Sequence, residues 1–195
     1  MGMDENELLK KYNDLYLEII MKYKSHIEEH ENLYVAELPS LISPNDEVVK
    51  GLAASFTSKF QDYKYENNFY DVAKLIFEHV KNVILPVSLP IQFWLKPSQT
   101  ITYGAGDLFD KAVLLCSLLI SLGNLSTKII IVVKESERSF IVYFEFKEIL
   151  VAMNIEGGIK EFKTKEELIK SLGIDEKSDD VTAYEFNDKM YIDIA

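Results

Sequence analysis

The chain has 195 residues, 48% of them hydrophobic, and a formal net charge of −11 at pH 7. Of its 21 basic residues only Arg138 is an arginine, so the fork-shaped cationic surface that nucleic-acid binders use is not encoded. No apolar run reaches the roughly 18–20 residues of a membrane span.

The start, Met1-Gly-Met-Asp-Glu, lacks the basic and apolar regions of a signal peptide, so the cytoplasm is the expected compartment. A lone cysteine, Cys116, excludes an internal disulfide and a cysteine-cluster zinc site, and no cofactor is expected. Eleven Phe and eleven Tyr supply bulk for one core.

Leu8, Leu9, Tyr12, Leu15, Tyr16, Ile19, Ile20, Tyr23 and Ile27 recur at helical spacing, which predicts one amphipathic helix over 4–30. Residues 31–43, with Pro39, are expected to form an extended connector. Ser43-Pro44 then predicts a helix start, Ser43 as N-cap and Pro44 at the first position. Val48, Val49, Leu52, Ala53, Phe56 and Phe60 form its apolar stripe. A third helix carries Phe69, Val72, Ala73, Ile76, Phe77, Val80 and Ile84 on one face. Pro86, Pro90 and Pro97 predict an irregular crossing over 85–105.

A further helix is expected from near Asp107 to Gly123, where glycine suits a C-terminal cap. Beyond it the period changes. Residues 128–134, 139–146 and 149–155 predict consecutive strands, broken at Gly157-Gly158. Thr164 with Glu167 makes a capping box for a short helix ending at Gly173. Residues 182–186 and 189–194 flank Asn187-Asp188 as a hairpin. Helices first and strands second predict an α+β fold with a central helix on an antiparallel sheet. The expected division is an N-terminal helix and connector over 1–43 and an α+β domain over 44–195.

The segment from Trp94 to Leu115 reads WLKPSQTITYGAGDLFDKAVLL. Its Trp94, Pro97, Thr100, Gly106, Asp107, Asp110, Ala112, Leu114 and Leu115 resemble the stretch that leads into the nucleophile helix of transglutaminase-like cysteine enzymes, in the broad papain-like group. The resemblance covers about residues 45–155 and implies that fold. It also implies a cysteine at position 108, a histidine on the second following strand near Ser139, and an orienting Asp or Asn near Ala152. The sequence has leucine at 108 and no histidine after His79. Leucine has no acidic proton or lone pair and cannot attack a carbonyl. Asn154 fits the third role only after a two-residue slip. On these positions (Leu108, Ser139, Ala152) the chain is expected not to be an enzyme.

Other candidates are weighed on their own chemistry. Cys116 sits among Leu114, Leu115, Leu118 and Leu119, the surroundings of a small buried apolar residue. Asp107 and Asp110 suit helix capping better than acid–base work. His26 and His30 have a chelating i,i+4 spacing but lie among glutamates at a polar helix end; no metal site is expected. Trp94, Tyr103, Asp107 and Asp110 are the candidate cleft residues, Trp94 serving a groove or the core. The stripe of the first helix suits a dimer or partner, and equally a helix folded back on its own domain.

A protein- or peptide-binding module is therefore the expected function. The alternatives are a hydrolase or transferase of another mechanism reusing the cleft through Asp107, Asp110 and Ser139, or a structural subunit assembling as a homodimer through the N-terminal helix. No nucleic-acid or membrane partner is expected.

Overall fold

Twelve consecutive residues, Phe109 to Ile120, are buried, although Asp110, Lys111 and Ser117 lie among them. A helix apolar on every side can only be central, and the rest of the structure is arranged around this one. The computed structural model describes residues 5–31, 35–88, 91, 93–135, 137–174 and 181–194.

The chain divides into two compact units, residues 1–33 with 88–94, and residues 34–87 with 95–195. The first holds α1 (Glu5–Lys22) and α2 (Lys24–Glu31). The single helix expected over 4–30 is interrupted at Tyr23, whose N–H is shared between the carbonyls of Ile19 and Ile20 at 3.1 and 3.2 Å. Split hydrogen bonds of this kind tighten a helical turn without ending the direction of the chain.

The second unit opens with a 3₁₀ helix, η1 (Val35–Leu41), where an extended connector was expected. Its Pro39 sits inside a short helix that does not need that N–H. Helix α3 (Glu47–Thr57) begins later than Ser43-Pro44 suggested. Asp46 is its N-cap, accepting the Val48 N–H at 2.8 Å, because an aspartate next to the apolar run outcompetes a serine three residues earlier. Helix α4 (Tyr65–Asn82) buries Phe69, Val72, Ala73, Ile76, Phe77 and Val80, the stripe read from sequence.

Strand β1 (Leu85–Pro86), helix α5 (Pro97–Tyr103) and strand β2 (Ala105–Gly106) lie within the stretch expected to be irregular. Pro97 at the first helical position and Gly104 at φ 63° delimit α5, the preferred start and stop residues of a short helix. The central helix is α6 (Leu108–Ser121).

Six strands follow, with one helix between them: β3 (Lys128–Lys134), β4 (Glu137–Phe146), β5 (Ile149–Asn154), β6 (Gly158–Phe162), α7 (Lys165–Ser171), β7 (Val181–Phe186) and β8 (Tyr191–Asp193). They form one antiparallel sheet in the order β6-β5-β4-β3-β7-β8. Gly158 does more than end a strand: at φ 83° it turns the chain back so that β6 pairs with β5.

Strand alternation divides the sheet into two faces. Phe140, Phe144, Phe146 and Phe186 meet Phe109 of α6 or Phe69 of α4, ring to ring at 5.2–6.5 Å. The opposite face carries Ile130, Val132, Ile141, Tyr143, Leu150, Ala152 and Ala183, covered by Leu168 of α7. The fold is thus α+β, helices followed by an antiparallel sheet, with an N-terminal helical extension. No helix among the described residues is long and apolar enough to cross a membrane.

Candidate functional site

The motif segment folds as two helices meeting at a corner. Gln99 Oε1 accepts the Lys96 N–H at 2.9 Å and starts α5. The chain then reverses at Gly104 and enters α6 through Gly106 and Asp107. Asp107 Oδ1 accepts the Asp110 N–H at 2.8 Å, and Asp110 Oδ2 accepts the Asp107 N–H at 3.0 Å. This reciprocal box satisfies two amides that a helix start leaves open.

Asp110 has a second duty. Its Oδ1 accepts the Leu95 N–H at 2.9 Å, so one buried carboxylate ties the entry to α5 onto α6. Burial, and then the charge of Asp107, push the Asp110 carboxyl up to about 6, against the pull of those two amides. Gly106 is required by proximity. A Cβ there would meet Asp110 Cβ at 2.9 Å and Thr100 Cγ2 at 3.2 Å.

Leu108, the first residue of α6, is half-buried. It lines a crevice of about 10 Å³ with Phe140, Asn154, Ile155 and Glu156, room for about one water molecule. The ring of the next residue, Phe109, packs 5.5 Å from that of Phe140. The residue that β4 turns toward the helix start is therefore Phe140.

Ser139 is exposed and has the strand parity of Ile141 and Tyr143, on the α7 side of the sheet. Ala152 is buried in that same α7-side cluster. Neither meets Leu108, so Asp107, Asp110 and Ser139 do not converge on a pocket. Asn154 does border the crevice. Its Nδ2 donates to the Phe140 carbonyl at 3.1 Å and its Oδ1 accepts the N–H groups of Glu156 and Gly157 at 3.0 and 2.6 Å, which makes it a turn-former.

Tyr103 ends α5 with its side chain exposed. Trp94 is half-buried and belongs to the first unit. Cys116 is fully buried, and burial drives its thiol well above the usual range. The half-buried His79 stacks edge-on with Phe56 at 5.2 Å, and burial followed by the Lys59 charge lowers its pKa. His26 is exposed, and His30 lies outside the described side chains. Among the described residues no three His, Cys, Asp or Glu side chains gather as a metal site.

Two charged features escaped the sequence. Lys111 is buried on α6, and its Nζ donates to the Lys81 carbonyl at 3.3 Å, at the C-terminal end of α4 where a cation is favoured. Glu185 on β7 is fully buried. It receives Lys128 Nζ and Tyr143 OH, each at 2.8 Å, and is paired with Lys165. Burial raises the Glu185 carboxyl, but the hydrogen bonds of Lys128, Lys165 and Tyr143 outweigh it and leave the pKa lowered. No local pattern marks either residue, because their partners lie 20 to 57 positions away along the chain.

No protein-family model matches the chain, and no curated protein matches it significantly. Solved structures do. Calcium-bound Legionella pneumophila LapG is 18% identical over 77% of this chain and 87% of its own, with a TM-score of 0.43. A second LapG structure from the same organism is 18% identical over 76% and 86%, with a TM-score of 0.45. EGTA-treated LapG gives 18% over 79% and 87%, and 0.46.

This finding corrects one expectation from sequence. The chain was expected not to be an enzyme, but nothing in its structure or in its likeness to LapG shows that catalytic residues are absent, and that expectation is withdrawn. The expectation also leaned on Ser139 and Ala152 as stand-ins for two catalytic positions. Strand parity places both on the sheet face away from α6.

Proposed function

We propose that the domain binds a protein or peptide segment on the corner where α4, the β1–β2 ribbon and α5 meet. One observation carries this reading: Val83, Leu85, Val87 and Tyr103 are all exposed there, Leu85 at 64% and Tyr103 at 66%. The Leu85 N–H donates to the Gly104 carbonyl at 2.8 Å, which holds Leu85 beside the turn that follows Tyr103. Leu85 and Val87 are two residues apart on one extended segment and share a side. Scattered apolar side chains on a surface are ordinary, but four on one corner supply apolar area for a partner, with Tyr103 the residue type that most often anchors one.

The small crevice at Leu108 cannot hold a side chain larger than a methyl group, so the ligand rests on the corner rather than entering the helix start. Its chemistry is an extended segment with apolar residues at alternate positions. Pro86 lacks an N–H, which keeps the outer edge of β1 from extending its ladder, so side-chain contacts carry the affinity.

The test is selection of peptides from a random display library on the full chain, followed by titration. Selected peptides should lose about tenfold in affinity to Tyr103→Ala and to Leu85→Ser, the effect of a central contact. Peptides whose affinity neither change alters would place binding elsewhere and reject the proposal. Mass spectrometry of the bound peptides after incubation measures any turnover in the same samples.

A further inference from the structure

We infer that the peptide or protein segment bound at this corner carries a carboxylate, which Lys111 receives. The inference rests on the corner reading and names the ligand's chemistry. Lys111 is 2% exposed, yet among the described residues its ammonium meets a single acceptor, the Lys81 carbonyl, at 3.3 Å. That is long for a hydrogen bond and occupies one of three protons. The C-terminal end of α4 draws the cation there without supplying further acceptors. No carboxylate among the described residues forms an ion pair with it, and burial lowers its pKa with no charge acting the other way.

The acids beside it are engaged elsewhere. Asp110 gives its two oxygens to the Leu95 and Asp107 amides. Glu78 of α4 is exposed and accepts Asn82 Nδ2 at 2.7 Å. Buried charges are ordinarily paired. An ammonium buried with protons to spare therefore calls for an acceptor from outside the chain. The apolar corner adjoins it: Lys81 lies two residues before Val83 and four before Leu85, both exposed. The flexible stem of lysine lets Nζ turn from the carbonyl toward an arriving acid while α6 stays in place. A carboxylate there gains charge-assisted hydrogen bonds, while apolar residues of the same segment cover Leu85 and Tyr103. The net charge of −11 repels acidic peptides in general, so a preference for one is a local signature.

Three peptide libraries, all with apolar residues at alternate positions, test this on the full chain. One is C-terminally amidated and carries a single Asp or Glu. The second has a free C-terminal carboxylate and no acidic side chain, and the third is amidated and neutral. The best binder of each is titrated against the parent, Lys111→Met and Tyr103→Ala. At least one acidic arm should bind the parent about tenfold more tightly than the neutral arm, and that arm names the source of the carboxylate. Lys111→Met should remove the advantage, leave the neutral peptide's affinity unchanged and keep a thermal midpoint no lower than the parent's, because no ion pair is lost. Equal affinity for acidic and neutral peptides overturns the inference. So does a preference that survives in Lys111→Met; with a lowered midpoint, that result makes the lysine a cap of α4 only. In both cases the corner reading stands where Tyr103→Ala still weakens binding. Binding that ignores Tyr103→Ala in every arm rejects the corner and the inference together, as does no binding at all.

Discussion

Asp107 and Asp110 each accept the other's backbone N–H, at 2.8 and 3.0 Å, and Asp110 alone also holds the Leu95 amide. The two acids at the head of the motif are thus a joint between helices, and their protonation should be legible in stability. The Asp110 carboxyl is raised to about 6 from an unfolded value near 3.8. A raised acid contributes stability fully below its unfolded pKa, and that contribution fades as pH rises through the folded one. Asp110→Asn removes the titration together with one acceptor. The variant should be less stable throughout, and the gap from the parent should widen by about 2 kcal/mol as pH falls from 7.5 to 4.5. Urea unfolding at both pH values checks it; a gap that is constant or that narrows on acidification contradicts the assignment.

Gly106→Ala should destabilise the fold by about 1–3 kcal/mol, the usual cost of overpacking. The new methyl would stand 2.9 Å from Asp110 Cβ and 3.2 Å from Thr100 Cγ2. Gly51 serves as the control, because a Cβ there meets nothing within 4 Å and its helix should gain slightly from alanine. Equal effects at the two glycines in chemical denaturation would refute the close-packing account.

Glu185→Ala should cost about 3–5 kcal/mol, since it leaves Tyr143 and two lysines without their shared acceptor. The Glu185 pKa is lowered in the fold, so its contribution is present above the unfolded value near 4.5 and is lost as pH falls through the folded one. The parent's advantage over Glu185→Ala should therefore shrink in acid, the reverse of the trend at Asp110. Thermal unfolding between pH 3 and 7 distinguishes the two signs.

Cys116 should react with an aromatic disulfide reagent only as fast as the fold opens, because its thiol is buried and its pKa raised. Labelling should rise in step with unfolding across a urea titration. Stoichiometric labelling in native buffer within minutes would mean that α6 is more accessible than its packing indicates.

Much of the frame was visible in one dimension. Asp107 and Asp110 could be assigned to capping because a cap is a contact of three residues' span, and the runs over 128–154 are short, continuous β-branched and aromatic stretches bounded by polar turns, the mark of buried strands. The register of those strands against α6 was not visible. Moving a strand by one residue exchanges its faces, and the difference between Ser139 and Phe140 at the helix start is one such step.

Sequence by itself determined the central helix, its acidic cap and the order of helices before strands, since each depends on neighbours a few residues apart. Tertiary structure alone decided that Phe140 and Asn154, rather than Ser139 and Ala152, border Leu108, and that Lys111 and Glu185 are buried with partners. Burying a charge is favourable only when distant groups are held in place to meet it. That meeting is a property of the packed sheet and helices, which local pattern cannot carry.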